Sequence, residues 1–259
     1  MDLEQSLWWV SIGTECTALA SLLLRRVGGR YRWFTSYLAC LATIGVALHL
    51  AGAPNRTSYA VAWMITEPIL LTLLVLSTAE IVGKIPEHYR GFGAFGRQKL
   101  RRLLDVAVVL ALLSSVIEAA GPQWKWSLPL LLRFTIALHR MTTSILALYL
   151  VLVAVFVSRV RVPFRRNLLV HSRLFACYLS LQTGVMLYFV AIGHGTKSVN
   201  DFLTGATSVL FLLWTVLLSR KGEALPPLKI LTPEDIRANE ERERALQEAA
   251  KRYSDRPLG

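Results

Sequence analysis

Acid is scarce in this chain, and charge of either sign is scarce until its end: 18% of the 259 residues are charged, and residues 1–219 hold 9 Asp and Glu against 20 Lys and Arg. That is too little polar surface to cover a soluble domain of this length. With 54% hydrophobic residues and a mean hydropathy of +0.45, the composition is that of a membrane protein. Cysteine is scarce too. Cys16, Cys40 and Cys177 each lie within an apolar segment, without a CxxC or a Cys/His ligand spacing. They read as packing residues, which excludes a disulfide framework and a cysteine-held metal. HExxH, GxSxG and paired Asp/Glu/His metal spacings are absent as well, so the parts of an intramembrane hydrolase are missing, and neither catalysis nor a cofactor is expected. The start, MDLEQSLWWV, is acidic where a secretory signal needs a basic region. Although Ala18-Leu19-Ala20 mimics a cleavage site, the first apolar segment is expected to be retained.

What is present is a series of seven apolar segments of bilayer length, at about 7–24, 33–51, 59–81, 103–120, 128–158, 168–192 and 202–219. The linkers between them alternate. The first carries Arg25, Arg26, Arg30 and Arg32, the third Lys84, Arg90, Arg97, Lys99, Arg101 and Arg102, and the fifth Arg159, Arg161, Arg165 and Arg166. The second, fourth and sixth hold only Arg56, Lys125 and Lys197. By the positive-inside rule this predicts an all-α bundle of seven transmembrane helices, with the N-terminus outside and the C-terminus cytoplasmic, in the plasma (inner) membrane. Trp8, Trp9, Trp124 and Trp126 then fall at the outer interface, and Tyr31 and Trp33 at the inner one. The net charge of +12 is placed at the edges of apolar runs. Its expected partner is therefore the anionic headgroups of the bilayer and not a nucleic acid.

Two domains are expected, the bundle at 1–219 and a cytoplasmic linker and charged helix at 220–259. Pro226 and Pro227 mark the linker. Thr232, Pro233 and Asp235 form a helix start, with Glu240/Arg244 and Glu248/Arg252 spaced i,i+4 along a helix running to about Tyr253. Such a helix is either a solvated tail or a docking element for a cytoplasmic partner. It is too short for a kinase or cyclase domain.

The ionisable residues inside the spans gather toward one side. Counting about 1.5 Å per residue from the outer edge, Glu15 and Glu67 lie roughly 12 Å deep, Arg133 roughly 8 Å and Arg140 roughly 18 Å, with Glu118 and His49 nearer the surface. Arg133 and Arg140 share a helix face, and Tyr59, Trp63 and Glu67 form an i,i+4 stripe on the third segment. Glu67 is expected to pair with either arginine, and Glu15 with Arg140. Two readings follow. The residues are structural ion pairs, or they surround an outward-opening polar cavity built from Glu15, Glu67, Arg133, His139 and Arg140 that takes a small polar ligand. Pro68 follows Glu67 directly and is expected to kink the third helix, as a hinge would.

Further patterns lead elsewhere. His139 is the one histidine near mid-membrane, and only His49 with His194 would suit bis-histidine haem, at the outer ends of their helices. Gly91, Gly93 and Gly96 match GxGxxG, but no strand precedes them and no ribose-binding acid follows at the required distance. A flexible basic loop whose Phe92 and Phe95 dip into the interface is expected there. Asn55-Arg56-Thr57 is a glycosylation sequon on the outer side, meaningful only in a eukaryotic secretory pathway, and reads as a chance match. A retinal protein needs a lysine in the middle of the seventh segment, which has none, and the first and last three segments show no repeat of the kind triple-helix sugar transporters carry. In layout alone, the chain resembles bacterial seven-helix sensory modules. The function expected is a non-enzymatic, receptor-like or sensory membrane component. A small-solute or ion transporter and a structural subunit of a membrane complex are the alternatives.

Overall fold

A computed structural model of the chain describes residues 3–52, 56–85, 93–119, 130–159, 165–192 and 196–224. Its α-helices are α1 (Leu3–Leu24), α2 (Arg32–Gly52), α3 (Arg56–Gly83), α4 (Gly93–Ala119), α5 (Leu130–Arg159), α6 (Arg166–Ile192) and α7 (Lys197–Leu217), followed by a 3-10 turn, Lys221–Glu223. The described residues lie within one compact unit, Met1–Leu225. The second unit, Pro226–Gly259, and with it the expected tail helix from Thr232 to Tyr253, falls outside the described residues.

Five of these helices are long and apolar enough to cross a membrane, over Gln5–Leu24, Arg32–Leu50, Ser58–Gly83, Phe134–Phe156 and Lys197–Leu217. The chain is accordingly a multi-pass membrane protein. Helices α4 and α6, 27 residues each, are as long but carry charge, with Arg97, Lys99, Arg101, Arg102 and Asp105 on α4 and Arg166 and Arg173 on α6. The outer faces are apolar. Val10 and Leu24 on α1, Ile65 on α3, Val109 and Leu113 on α4, and Val209 and Val216 on α7 are all exposed, the distribution that suits lipid contact.

Packing orders six helices into a ring, α1–α2–α3–α5–α6–α7 and back to α1, while α4 rests on α5 outside it. Short connections make sequence neighbours antiparallel, so α1 begins at the same end as α3, α5 and α7. At the opposite, basic end the linker between α1 and α2 is tied down. Arg26 closes α1 in the left-handed region at φ 56°, and the N–H groups of Val27 and Gly28 return to the carbonyl of Leu22. Glu80 of α3 accepts from the N–H groups of Arg32 and Trp33 at 3.0 and 3.1 Å, so a carboxylate from one helix caps the positive end of another. Lys84 stands 3.4 Å from Glu80 and 4.4 Å above the Tyr31 ring.

Two expectations change. The stretch containing Gly93 and Gly96 is not a loop: α4 begins at Gly93, ten residues before the expected start, because Arg97 to Arg102 is a run of good helix formers once apolarity is set aside. Helix α7 begins at Lys197 and not at 202, which puts Asn200 and Asp201 on the helix. Helix α3 is continuous through Pro68, with the Thr66 hydroxyl bonding back to the carbonyls of Ala62 and Trp63 and the Thr72 hydroxyl to that of Pro68.

Candidate functional site

The ring encloses a cavity of about 310 Å³ at the end where α1, α3, α5 and α7 begin. Every ring helix contributes. Leu7, Trp8, Ser11, Ile12 and Glu15 come from α1, Tyr37, Leu41, Ile44, Gly45 and Leu48 from α2, and Tyr59, Trp63, Glu67, Leu70, Leu71 and Leu74 from α3. His139 and Thr143 come from α5, Tyr178 and Gln182 from α6, and Asn200, Asp201 and Thr204 from α7. The wall is therefore mostly apolar and aromatic with a few polar groups set into it, the composition of a small-molecule site. Trp8 meets Tyr59 edge to face at 6.3 Å between centroids. His49 is packed against Trp8 and Trp9, at 5.7 and 4.8 Å.

Two buried acids sit deeper. Glu67 meets Nδ1 of His139 through Oε1 across the space between α3 and α5. Glu15 accepts from the Ser11 hydroxyl at 3.0 Å through one oxygen, while its buried Oε2 has no hydrogen-bond partner among the described residues.

The floor is closed. The hydroxyls of Tyr37 and Tyr178 are 2.6 Å apart and buried. Beneath them Phe34, Phe175, His171 and Trp214 pack ring on ring, each no more than 2% exposed, with Phe34 and His171 centroids 4.4 Å apart. The indole N–H of Trp214 donates to Nδ1 of His171 at 2.9 Å, which assigns that nitrogen as an acceptor. Tyr178 touches both Phe175 and Trp214, so the same side chain that floors the cavity caps the plug.

Below the plug lies a polar latch. Tyr31, whose ring is 4.8 Å from His171, donates its hydroxyl to Glu223 Oε1 at 3.2 Å. Burial, with the Glu223 carboxylate beside it, pushes that hydroxyl well above the usual phenol range, so it remains a donor. Asn167 donates to Glu223 Oε1 and to the carbonyl of Ser219, both at 2.7 Å, and accepts from the Ser219 N–H at 3.2 Å. Arg30 and Arg165 approach Glu223 Oε2 at 3.0 and 3.6 Å. One acid thus joins the α1–α2 linker, the start of α6 and the chain leaving α7.

Among the residues singled out from sequence, Glu15, Trp63, Glu67 and His139 line the cavity, and Tyr59, Trp63 and Glu67 do so as one i,i+4 stripe. Arg140 is buried in α5 but is not among the lining residues; one step beyond His139 turns a side chain about 100° around a helix, which takes it off the wall. Among the described contacts of the acids are His139 for Glu67 and Ser11 for Glu15. The side chains of Glu118 and Arg133, on α4 and α5, and residue His194 lie outside the described residues. Pro68 is exposed, facing away from its buried neighbour Glu67. Sequence reasoning missed Ser11, Tyr37, Thr143, Tyr178, Gln182, Asn200 and Asp201. Their only common signal is polarity within apolar helices, which does not tell a wall residue from a buried hydroxyl bonded back to its own helix. Compared with protein-family models, with curated proteins and with solved structures, the chain matches none of them.

Proposed function

We propose that this chain is a non-enzymatic, receptor-like sensory component of the plasma membrane, spanning it seven times with the N-terminus outside. In this reading the cavity takes a small polar ligand from the external side. That side is assigned by the linkers at the cavity end, which are poor in Lys and Arg, while the basic linkers meet anionic headgroups inside.

The observation that carries it is the closed floor. A cavity stopped by the Tyr37–Tyr178 pair and a plug of fully buried rings suits binding without passage. From Tyr178 the contacts continue through Trp214 and His171 to Tyr31 and Glu223, a contiguous packed route from cavity to latch. The segment following the latch, with its helix start at Thr232, is where a cytoplasmic protein partner docks in this reading. A second reading, a carrier, draws on the Glu67–His139 pair, since an acid and an imidazole facing each other in a cavity can pass a proton.

Thiol accessibility separates the two. With Cys16, Cys40 and Cys177 replaced by alanine, Leu41→Cys on the cavity wall is expected to react with a membrane-impermeant cationic methanethiosulfonate from outside the cell only, and Arg220→Cys from inside only. Reaction of Leu41→Cys from both faces means alternating access and a carrier. Reaction of Arg220→Cys from outside inverts the topology.

A further inference from the structure

The cavity wall carries three acidic side chains, Glu15, Glu67 and Asp201, and no lysine or arginine is among its described lining residues. Its one group able to carry positive charge, His139, is engaged with Glu67. Glu15 is the acid left incomplete. It is 6% exposed, Ser11 serves one oxygen, and Oε2 has no donor among the described residues. A buried carboxylate oxygen in a low-dielectric wall draws a donor, most strongly a charged one. Gly45 lets α1 and α2 pack closely beside this carboxylate: a side-chain carbon there would stand 3.3 Å from Ile12 Cγ1 and 4.0 Å from Oε2.

The surroundings narrow the class of guest. Among the described residues no group of three or more His, Cys, Asp or Glu is placed to hold a metal ion. Trp8, Tyr59 and Trp63 instead line the wall, aromatic residues of the kind that attract organic cations, and Ile12, Leu41 and Ile44 offer apolar surface for an organic body. Asp201, at the start of α7, adds negative potential for a cation entering. A volume of about 310 Å³ restricts the guest to a small molecule.

We infer that the cavity binds a small primary amine in its protonated form, with an aromatic or apolar body, its ammonium drawn to the Glu15 carboxylate. This rests on the receptor reading above and names its ligand class.

The test uses the full chain in lipid nanodiscs and three probes sharing one body: 2-phenylethylamine, 2-phenylethanol and phenylacetate. Binding is followed by calorimetry and by fluorescence of the wall tryptophans. The amine is expected to bind about tenfold or more tighter than the alcohol, with no saturable binding of the acid. Glu15→Gln is expected to bring the amine down to the alcohol's affinity at an unchanged melting temperature, and Glu15→Asp to give an intermediate loss. Equal affinity for amine and alcohol, tighter binding of phenylacetate, an unaltered amine affinity in Glu15→Gln, or no binding of any probe overturns the proposal. If Glu15→Gln does not fold, the three-probe comparison on the native chain decides. The receptor reading fails separately, through two-sided reactivity of Leu41→Cys. Amine selectivity together with that result describes an amine carrier.

Discussion

His139→Leu is expected to destabilise the bundle by about 1–3 kcal/mol, the usual consequence of removing one partner of a buried hydrogen bond and stranding the other. Glu67 is 5% exposed and its carboxylate meets His139 from a neighbouring helix, so the variant leaves a buried acid without its imidazole contact. The double variant Glu67→Leu, His139→Leu is expected to recover most of the loss, because two apolar side chains can share the space that a lone carboxylate cannot. Reversible unfolding in mixed micelles checks both values. Additive losses in the double variant would mean that the two residues act independently and that the contact joining α3 to α5 has no net worth. Retention of native stability in His139→Leu would mean that water reaches Glu67 freely, and the cavity would then be wider than the ring packing allows.

The second large effect is expected at Gly222→Ala. A methyl group there collides with Oδ1 of Asn167, a fully buried side chain that holds Ser219 by two hydrogen bonds and Glu223 by one. Either the amide swings away or the turn at Lys221–Glu223 lifts, and in both cases buried polar groups lose partners at about 1–3 kcal/mol each. The expected total is about 2–4 kcal/mol, together with faster tryptic cleavage after Lys221 as the turn detaches. Gly205→Ala on α7 is the control. A carbon added at Gly205 meets nothing within 4 Å, so the change is expected to be neutral or to stabilise by about 0.5–1 kcal/mol through helix propensity alone. If Gly222→Ala behaves like Gly205→Ala, the latch around Glu223 does not hold the end of α7.

How the helices turn about their own axes separates what could be read ahead from what could not. Membrane residence was legible because apolar length is a local property: twenty residues of Leu, Val, Ile and Ala declare a span whatever packs beside them. That Glu15, Glu67 and His139 stand at comparable heights, where they line one cavity, was legible for the same reason, since height follows from counting along the chain. The choice between His139 and Arg140 was not. The two are adjacent in sequence and equally anomalous in an apolar run, and only the rotation of α5 sets His139 and not Arg140 among the residues lining the cavity. The start of α4 was misplaced by the opposite fault, apolarity standing in for helicity where Arg97 to Arg102 are good helix formers with charged ends.

The amino-acid order by itself determined that this is a helical membrane protein, which segments are apolar, and where along those segments the acids and bases stand, because each of these depends on neighbours along the chain. Tertiary structure alone decided that Tyr37 meets Tyr178 across 141 residues, that Trp214 serves His171, that Glu223 gathers Tyr31, Asn167, Arg30 and Arg165, and that Glu15 is a buried residue of the cavity wall. Those facts depend on how each helix is rotated. Rotation is set by the fit of side chains between helices, which no single segment encodes.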